Sequence, residues 1–315
     1  MTGKYLTEIE GFTRESGWAD PSQASAASRA YAERLEDGNI LFLPSLPHAF
    51  SPEDLKFLYS LDQDDSAIHK NISYRPKQDI LRGFGSSQPE KVETMHRIMR
   101  EYSAGVVKMM SALLPAYAAK WTLDYASYRP YEEENRDLPL HKRNDLVHTD
   151  AFPSRPTHGG LILRCFTNVN PAQPRVWSTT ARFPTLAKQY AADAGLPKIV
   201  AREASPLRGV RKGLNALKSA VGIKSPNHSA YDLFMLGFHD YLKENTSFQT
   251  DAEKFRTDFP PLSTWITFTD VVPHAVLSGR YALEQTFIVP VNALFDASKS
   301  PVRVLESIAG TSLVS

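Results

Sequence analysis

Two stretches decide how this chain folds: Asp145-Leu146-Val147-His148-Thr149-Asp150, and Ser263-Thr264-Trp265-Ile266-Thr267-Phe268-Thr269-Asp270, which leads into Pro273-His274-Ala275. In His148-Thr149-Asp150 the outer side chains lie two residues apart. On a strand both point to one face and can reach one ion. His274 follows a run that alternates polar and apolar residues and is rich in β-formers. A turn at Ser278-Gly279 and a further strand, Tyr281 to Val289, come next. Strand, histidine, turn, strand is the order in which a double-stranded β-helix presents its distal metal ligand. The expected fold is α+β, with a double-stranded β-helix (jelly-roll, cupin-like) core and supporting helices.

Two histidines and an aspartate form the facial triad of non-heme Fe(II) sites. Each neutral imidazole gives one nitrogen donor, and the carboxylate cancels part of the metal charge. The open face is left to a co-substrate and dioxygen. A bare His-x-Asp also arises by chance, with His148 then a surface histidine. Of the nine histidines, only His148 and His274 pair on strands in this context.

The longer motifs are more specific. They are Asp145 to Thr157, Ile162-Leu-Arg-Cys-Phe-Thr-Asn-Val-Asn-Pro171, Pro174-Arg-Val-Trp177 and Phe268 to Phe287. The chain resembles the Kdo hydroxylases here, densely from about Tyr125 to Pro290 and more weakly over the first 120 residues. The resemblance implies an Fe(II)- and 2-oxoglutarate-dependent dioxygenase. Its substrate would be 3-deoxy-D-manno-oct-2-ulosonic acid (Kdo) in the lipid A–inner core of lipopolysaccharide. Carbon 3 would be hydroxylated to give Ko, succinate and carbon dioxide. His148, Asp150 and His274 would hold the metal. No further catalytic group is needed beyond these ligands.

The far carboxylate of 2-oxoglutarate needs a cation, and arginine pairs with carboxylates in a bidentate way. The window about ten residues after His274 holds Glu284, Gln285 and Thr286 and no base; Arg280 comes earlier, as a further candidate. The resemblance carries the role to Arg129 in Tyr128-Arg-Pro130, Arg164, and Arg175 with Trp177. Arg164 has its own reason. It interrupts the apolar run Leu161 to Phe166, where an unpaired charge is costly. A bound dicarboxylate would offset that cost, and so would a structural Asp or Glu. Trp177 also reads as core.

The 315 residues fit one large domain or two small ones. With no repeat and no linker, the reading is a single domain over 1–315. It has a helical N-terminal arm at 1–38 and a helical insertion at 183–243. Ile40 to Leu43 reads as a strand, Ser51-Pro52 as a helix start, and Glu90 to about Leu114 as a support helix. A net charge of +1 argues against nucleic acid as a partner. No apolar run approaches a membrane span, the N-terminus lacks the apolar core of a secretion signal, and the single Cys165 permits no internal disulfide. These features fit a reducing cytoplasm.

The segment from Pro206 to Lys224 carries Arg208, Arg211, Lys212, Lys218 and Lys224 and no acid, with apolar residues at helical spacing. It reads either as a helix covering the sheet or as a basic amphipathic helix on an anionic membrane. The second reading implies peripheral contact with the inner face of the cytoplasmic membrane of a Gram-negative bacterium. Two other functions stay open at this point: a 2-oxoglutarate hydroxylase of another substrate, and a non-catalytic cupin-like metal module.

Overall fold

A computed structural model describes residues 5–61, 68–85, 87–205 and 227–314. Its strands are β1 (Leu6–Glu8), β2 (Phe12–Thr13), β3 (Gly17–Trp18), β4 (Ile40–Leu43), β5 (Ile68–Arg75), β6 (Ile80–Phe84), β7 (Thr122–Arg129), β8 (Leu161–Asn168), β9 (Arg175–Thr179), β10 (Phe255–Phe259), β11 (Ser263–Phe268), β12 (His274–Ser278) and β13 (Ala282–Val289). Eight of them form one sheet in the order β1-β4-β11-β8-β13-β7-β5-β6, and three form another, β10-β9-β12. The fold is a mixed α+β arrangement.

Strand β8 shows how the sequence makes two different faces. All eight of its residues are buried. Leu161, Leu163 and Cys165 join the core beneath the helices. Phe166 joins the core beneath the three-stranded sheet, and Arg164 shares that face by alternation. The helix Pro89–Leu113 covers the first face. Its buried stripe is Met95, Ile98, Met99, Tyr102, Val106, Met109, Met110 and Leu113, at the spacing that predicts a support helix. Pro89 occupies its first turn, where no backbone donor is lost. The helix Pro52–Ser60 starts as expected, with the Ser51 hydroxyl accepting from the Asp54 amide.

The other face packs against the small sheet through aromatic side chains. Trp265 stacks on Phe259 with centroids 4.0 Å apart, and Trp177 meets Phe166 edge-on at 4.8 Å. A third cluster joins Val147 and Ala275 to the helices Phe183–Tyr190, Ala230–Glu244 and Pro301–Ala309. The described parts of 183–243 include the helices Phe183–Tyr190 and Leu196–Ala204 and most of Ala230–Glu244. The basic segment from Arg208 to Lys224 lies outside the described residues.

The N-terminal region departs from the expected helical arm. Its helix spans only Ala24–Glu36, and Leu6–Glu8 adds a strand parallel to β4. The helix is the crossover that a parallel pair requires. A three-residue strand is too short to show a period, so only the alanine-rich helix is visible in the sequence.

Candidate active site

His148 is not part of a regular strand. It forms a single bridge with His274, the first residue of β12. The two exchange backbone bonds, His148 N to His274 O at 3.0 Å and the reverse at 2.9 Å. Asp150 N donates to Thr269 O at 3.0 Å. The expected strand before His148 is replaced by irregular backbone, and the pairing is supplied by β12 and the end of β11. The bridge still places His148 and Asp150 on one side. One ligand atom from each of His148, Asp150 and His274 lies within 4.8 Å of the others.

The protonation states suit a metal. Nδ1 of His148 lies 2.7 Å from Leu146 O, and Nδ1 of His274 lies 3.0 Å from Val272 O. A carbonyl only accepts, so each Nδ1 carries the proton and each Nε2 presents its lone pair. Burial, then the neighbouring His274 and Lys243, pushes the His148 imidazolium well below its ordinary range. Burial lowers His274 too, against the opposing charge of Asp150. Both rings are therefore neutral. Burial would raise the Asp150 carboxyl, but the charges around it, the Arg164 guanidinium foremost, hold the group below its ordinary range. Asp150 Oδ2 is buried and makes no hydrogen bond. A buried, ionised oxygen with no hydrogen bond, beside two aimed imidazole lone pairs, fits a hard divalent cation.

Around the triad, three arginines face three carboxylates. Arg164 Nη1 lies 3.3 Å from both Asp150 Oδ2 and Glu284 Oε2. Arg129 Nη2 lies 3.4 Å from Glu284 Oε1, and its Nη1 lies 3.7 Å from Glu133 Oε1. Arg175 donates to Gly279 O at 2.9 Å and to Glu133 Oε1 at 3.2 Å. Burial opposes ionisation of Glu133, but Arg175 and Arg129 pull its carboxyl down to about 2. The formal charges of these six groups cancel. A divalent metal and a dicarboxylate would add as a further neutral pair. Trp177 stacks on the His274 ring, 4.6 Å between centroids and 15° between planes. The Arg280 guanidinium lies 4.2 Å over the Tyr281 ring, and its charge acts on Tyr128 of the helix-covered face.

Several residues at this site escape a sequence reading. Glu133 sits in the run Glu132-Glu133-Glu134, which reads as a solvated turn, yet its side chain is 2% exposed. Glu284 could have been found by parity, as the lone acid in an apolar strand beside the strand of Arg164. The helices after residue 229 add a clamp. Gln249 accepts from Val147 N at 3.0 Å and donates to Val147 O at 2.9 Å. His239 Nδ1 lies 2.7 Å from Thr149 O, and its ring meets the His148 ring edge-on at 4.9 Å.

Comparison with known proteins gives the site its family. No curated protein sequence matches the chain. Solved structures do. The crystal structure of the Kdo hydroxylase KdoO, a non-heme Fe(II) alphaketoglutarate dependent dioxygenase, in complex with alphaketoglutarate and Fe(III), matches at 31% identity with a TM-score of 0.84. The match covers 99% of this chain and 98% of that one. The structure of the same enzyme with cobalt(II) matches at 32% identity and a TM-score of 0.85, over 99% and 98% of the two chains. The family model of 3-deoxy-D-manno-oct-2-ulosonic acid (Kdo) hydroxylases matches residues 18–312. The triad and its arginine surround thus sit in a chain that belongs, over nearly all its length, to the Kdo hydroxylase family.

Proposed function

We propose that this protein hydroxylates carbon 3 of Kdo in the lipid A–inner core of lipopolysaccharide, using Fe(II), 2-oxoglutarate and dioxygen, and releases Ko, succinate and carbon dioxide. The observation that carries the reading is the buried His148, Asp150 and His274 group, with both Nε2 atoms free to ligate and one aspartate oxygen without a hydrogen bond. When bound, Fe(II) with 2-oxoglutarate supplies the oxidative chemistry that decarboxylates the co-substrate and inserts oxygen into a C–H bond.

The chain's own groups place and shield. His148, Asp150 and His274 hold the metal. Arg164, Arg129 and Arg175 bind the far carboxylate of 2-oxoglutarate, and Glu284 and Glu133 balance their charge while the site is unloaded. Trp177 fixes the His274 ring and closes the pocket wall on that side. Arg280, over Tyr281, is a further candidate for that carboxylate. No proton needs to be moved by a side chain, so the protein's work is orientation and exclusion of water.

The fold reading in this proposal is a double-stranded β-helix. The eight-stranded and three-stranded sheets pack face to face, with the triad at one end of the space between them, and 1–315 is one domain. The proposed workplace is the cytoplasm, at the inner face of the cytoplasmic membrane. No helix among the described residues is long and apolar enough to cross a membrane. Docking would fall to the five bases from Arg208 to Lys224, each contributing on the order of 1 kcal/mol near an anionic surface. Co-sedimentation with anionic vesicles should weaken with salt and on changing Arg208, Arg211, Lys212 and Lys218 to Gln. Equal sedimentation of variant and wild type would refute the docking role.

The test of the activity is mass spectrometry of lipopolysaccharide from cells with and without the protein. A gain of one oxygen on Kdo is expected. Identical Kdo masses in the two would refute the assignment.

A further inference from the structure

We propose that a ladder of alternating cations and rings, running from the metal ligands toward the sheet edge, binds a second anionic group of the substrate, away from the carbon that reacts. This rests on the functional reading above and extends it to what surrounds the reacting sugar. The ladder starts at Arg164, 3.3 Å from Asp150. The Arg164 guanidinium lies 5.4 Å from the centre of the Phe152 ring, and Arg155 lies 4.4 Å from the same ring. Arg155 also lies 4.1 Å from the centre of the Tyr125 ring, and Arg75 lies 4.9 Å from it.

The strand register explains why these side chains meet. Tyr74 of β5 pairs with Ala126 of β7, so Arg75 stands opposite Tyr125. Tyr74 and Ala126 point into the core beneath the helices. Arg75 and Tyr125 therefore point to the other face, the one that Arg164 uses. The strands from Arg164 to Arg75 are consecutive, β8-β13-β7-β5. At about 4.8 Å per strand, the two strand axes lie roughly 14 Å apart, which is the reach of an oligosaccharide rather than of one sugar.

The charges along the ladder do not cancel. Arg155 is paired with Asp124 at 3.0 Å. Arg75 has no carboxylate within ion-pair distance among the described residues, and its Nε is buried without a hydrogen bond. Arg82, opposite Ser73 on the edge strand β6, is exposed and also has no ion pair among them. A guanidinium stacked on a ring is held by its face, so the donors on its edge stay available. That fork fits a carboxylate or a phosphate. Kdo is itself a carboxylic acid, so the ligand is either the carboxylate of a second acidic sugar or a phosphate of the glycolipid.

Two probes separate these sources in calorimetric binding to the metal-loaded protein. One is a Kdo disaccharide, with two carboxylates and no phosphate. The other is a single Kdo on a glucosamine disaccharide bisphosphate. A Kdo monosaccharide is the reference. Arg75→Gln should weaken one or both probes by about tenfold or more, with the source given by which one, and should leave the monosaccharide and 2-oxoglutarate affinities unchanged. Arg75→Lys should recover part of the loss. Unchanged 2-oxoglutarate affinity shows that the variant is folded. Equal affinity of wild type and Arg75→Gln for both probes would overturn the ladder and leave the hydroxylase reading standing. Wild-type protein that binds none of the three sugars would overturn both.

Discussion

Leu163 and Arg164 are chain neighbours, both buried, and serve opposite faces of one sheet. On the side of Leu163 the sheet meets the helix Pro89–Leu113, and the contacts are mainly apolar, with Ser103 donating to Gln285 and Tyr102 beside Thr167 as polar exceptions. On the side of Arg164 it carries Arg129, Glu284 and the approach to the triad. Apolar packing tolerates approximate geometry and contributes in proportion to buried area. The charged face is held by a few distances and by the balance of charge. The difference teaches that burial alone does not say what a strand does. The parity of a residue within the strand does.

The largest expected effect lies on the charged face. His148→Ala or His274→Ala should lower turnover by about a thousandfold or more while leaving the melting temperature of the metal-free protein nearly unchanged. Full turnover by both variants would end the metal assignment. The neighbours 163 and 164 sharpen the contrast further. Leu163→Ala should lower stability by about 2–5 kcal/mol in denaturant titration and leave the Michaelis constant for 2-oxoglutarate where it was. Arg164→Ala should raise that constant by about 10- to 100-fold. An unchanged constant would move the role to Arg129, Arg175 or Arg280.

A smaller effect should come from the clamp that joins the ligand segment to the helices. Gln249 bonds both backbone groups of Val147, next to His148. Gln249→Ala should weaken cobalt(II) binding by about tenfold, read from the visible absorption of the bound ion. An unaltered affinity would show that the bridge to β12 positions His148 by itself.

The smallest effect concerns Asp270, which is buried in the turn after β11 and accepts from Ile162 N at 3.1 Å. Burial pushes its carboxyl up to about 7. The folded state holds this proton more tightly than the unfolded chain, so the stabilisation is complete below the unfolded value. It fades as pH rises through about 7. Melting temperature followed from pH 4 to 8 should fall more steeply for wild type than for Asp270→Asn. Parallel curves would mean that Asp270 ionises freely.

Much of this was legible in the sequence because it rests on short-range periods. The alternating run around Trp265 placed β11, the turn at Ser278-Gly279 placed β13 after it, and the spacing from Met95 to Leu113 placed the long helix. His148, Asp150 and His274 were legible because metal ligands need particular side chains. What stayed hidden depends on contacts between distant segments. The strand Leu6–Glu8 exists only because β4 offers an edge. His148 needs no strand of its own because His274 supplies the bridge. Glu133 looks like a surface acid until Arg129 and Arg175 arrive from other strands.

The most direct measurement incubates purified protein with Fe(II), 2-oxoglutarate, dioxygen and a Kdo-bearing lipid A, and counts succinate formed against oxygen gained by the sugar. One succinate for each oxygen atom placed on carbon 3 of Kdo is predicted, with neither product from His148→Ala. Wild-type protein that loads Fe(II) and 2-oxoglutarate yet adds no oxygen to Kdo would contradict it.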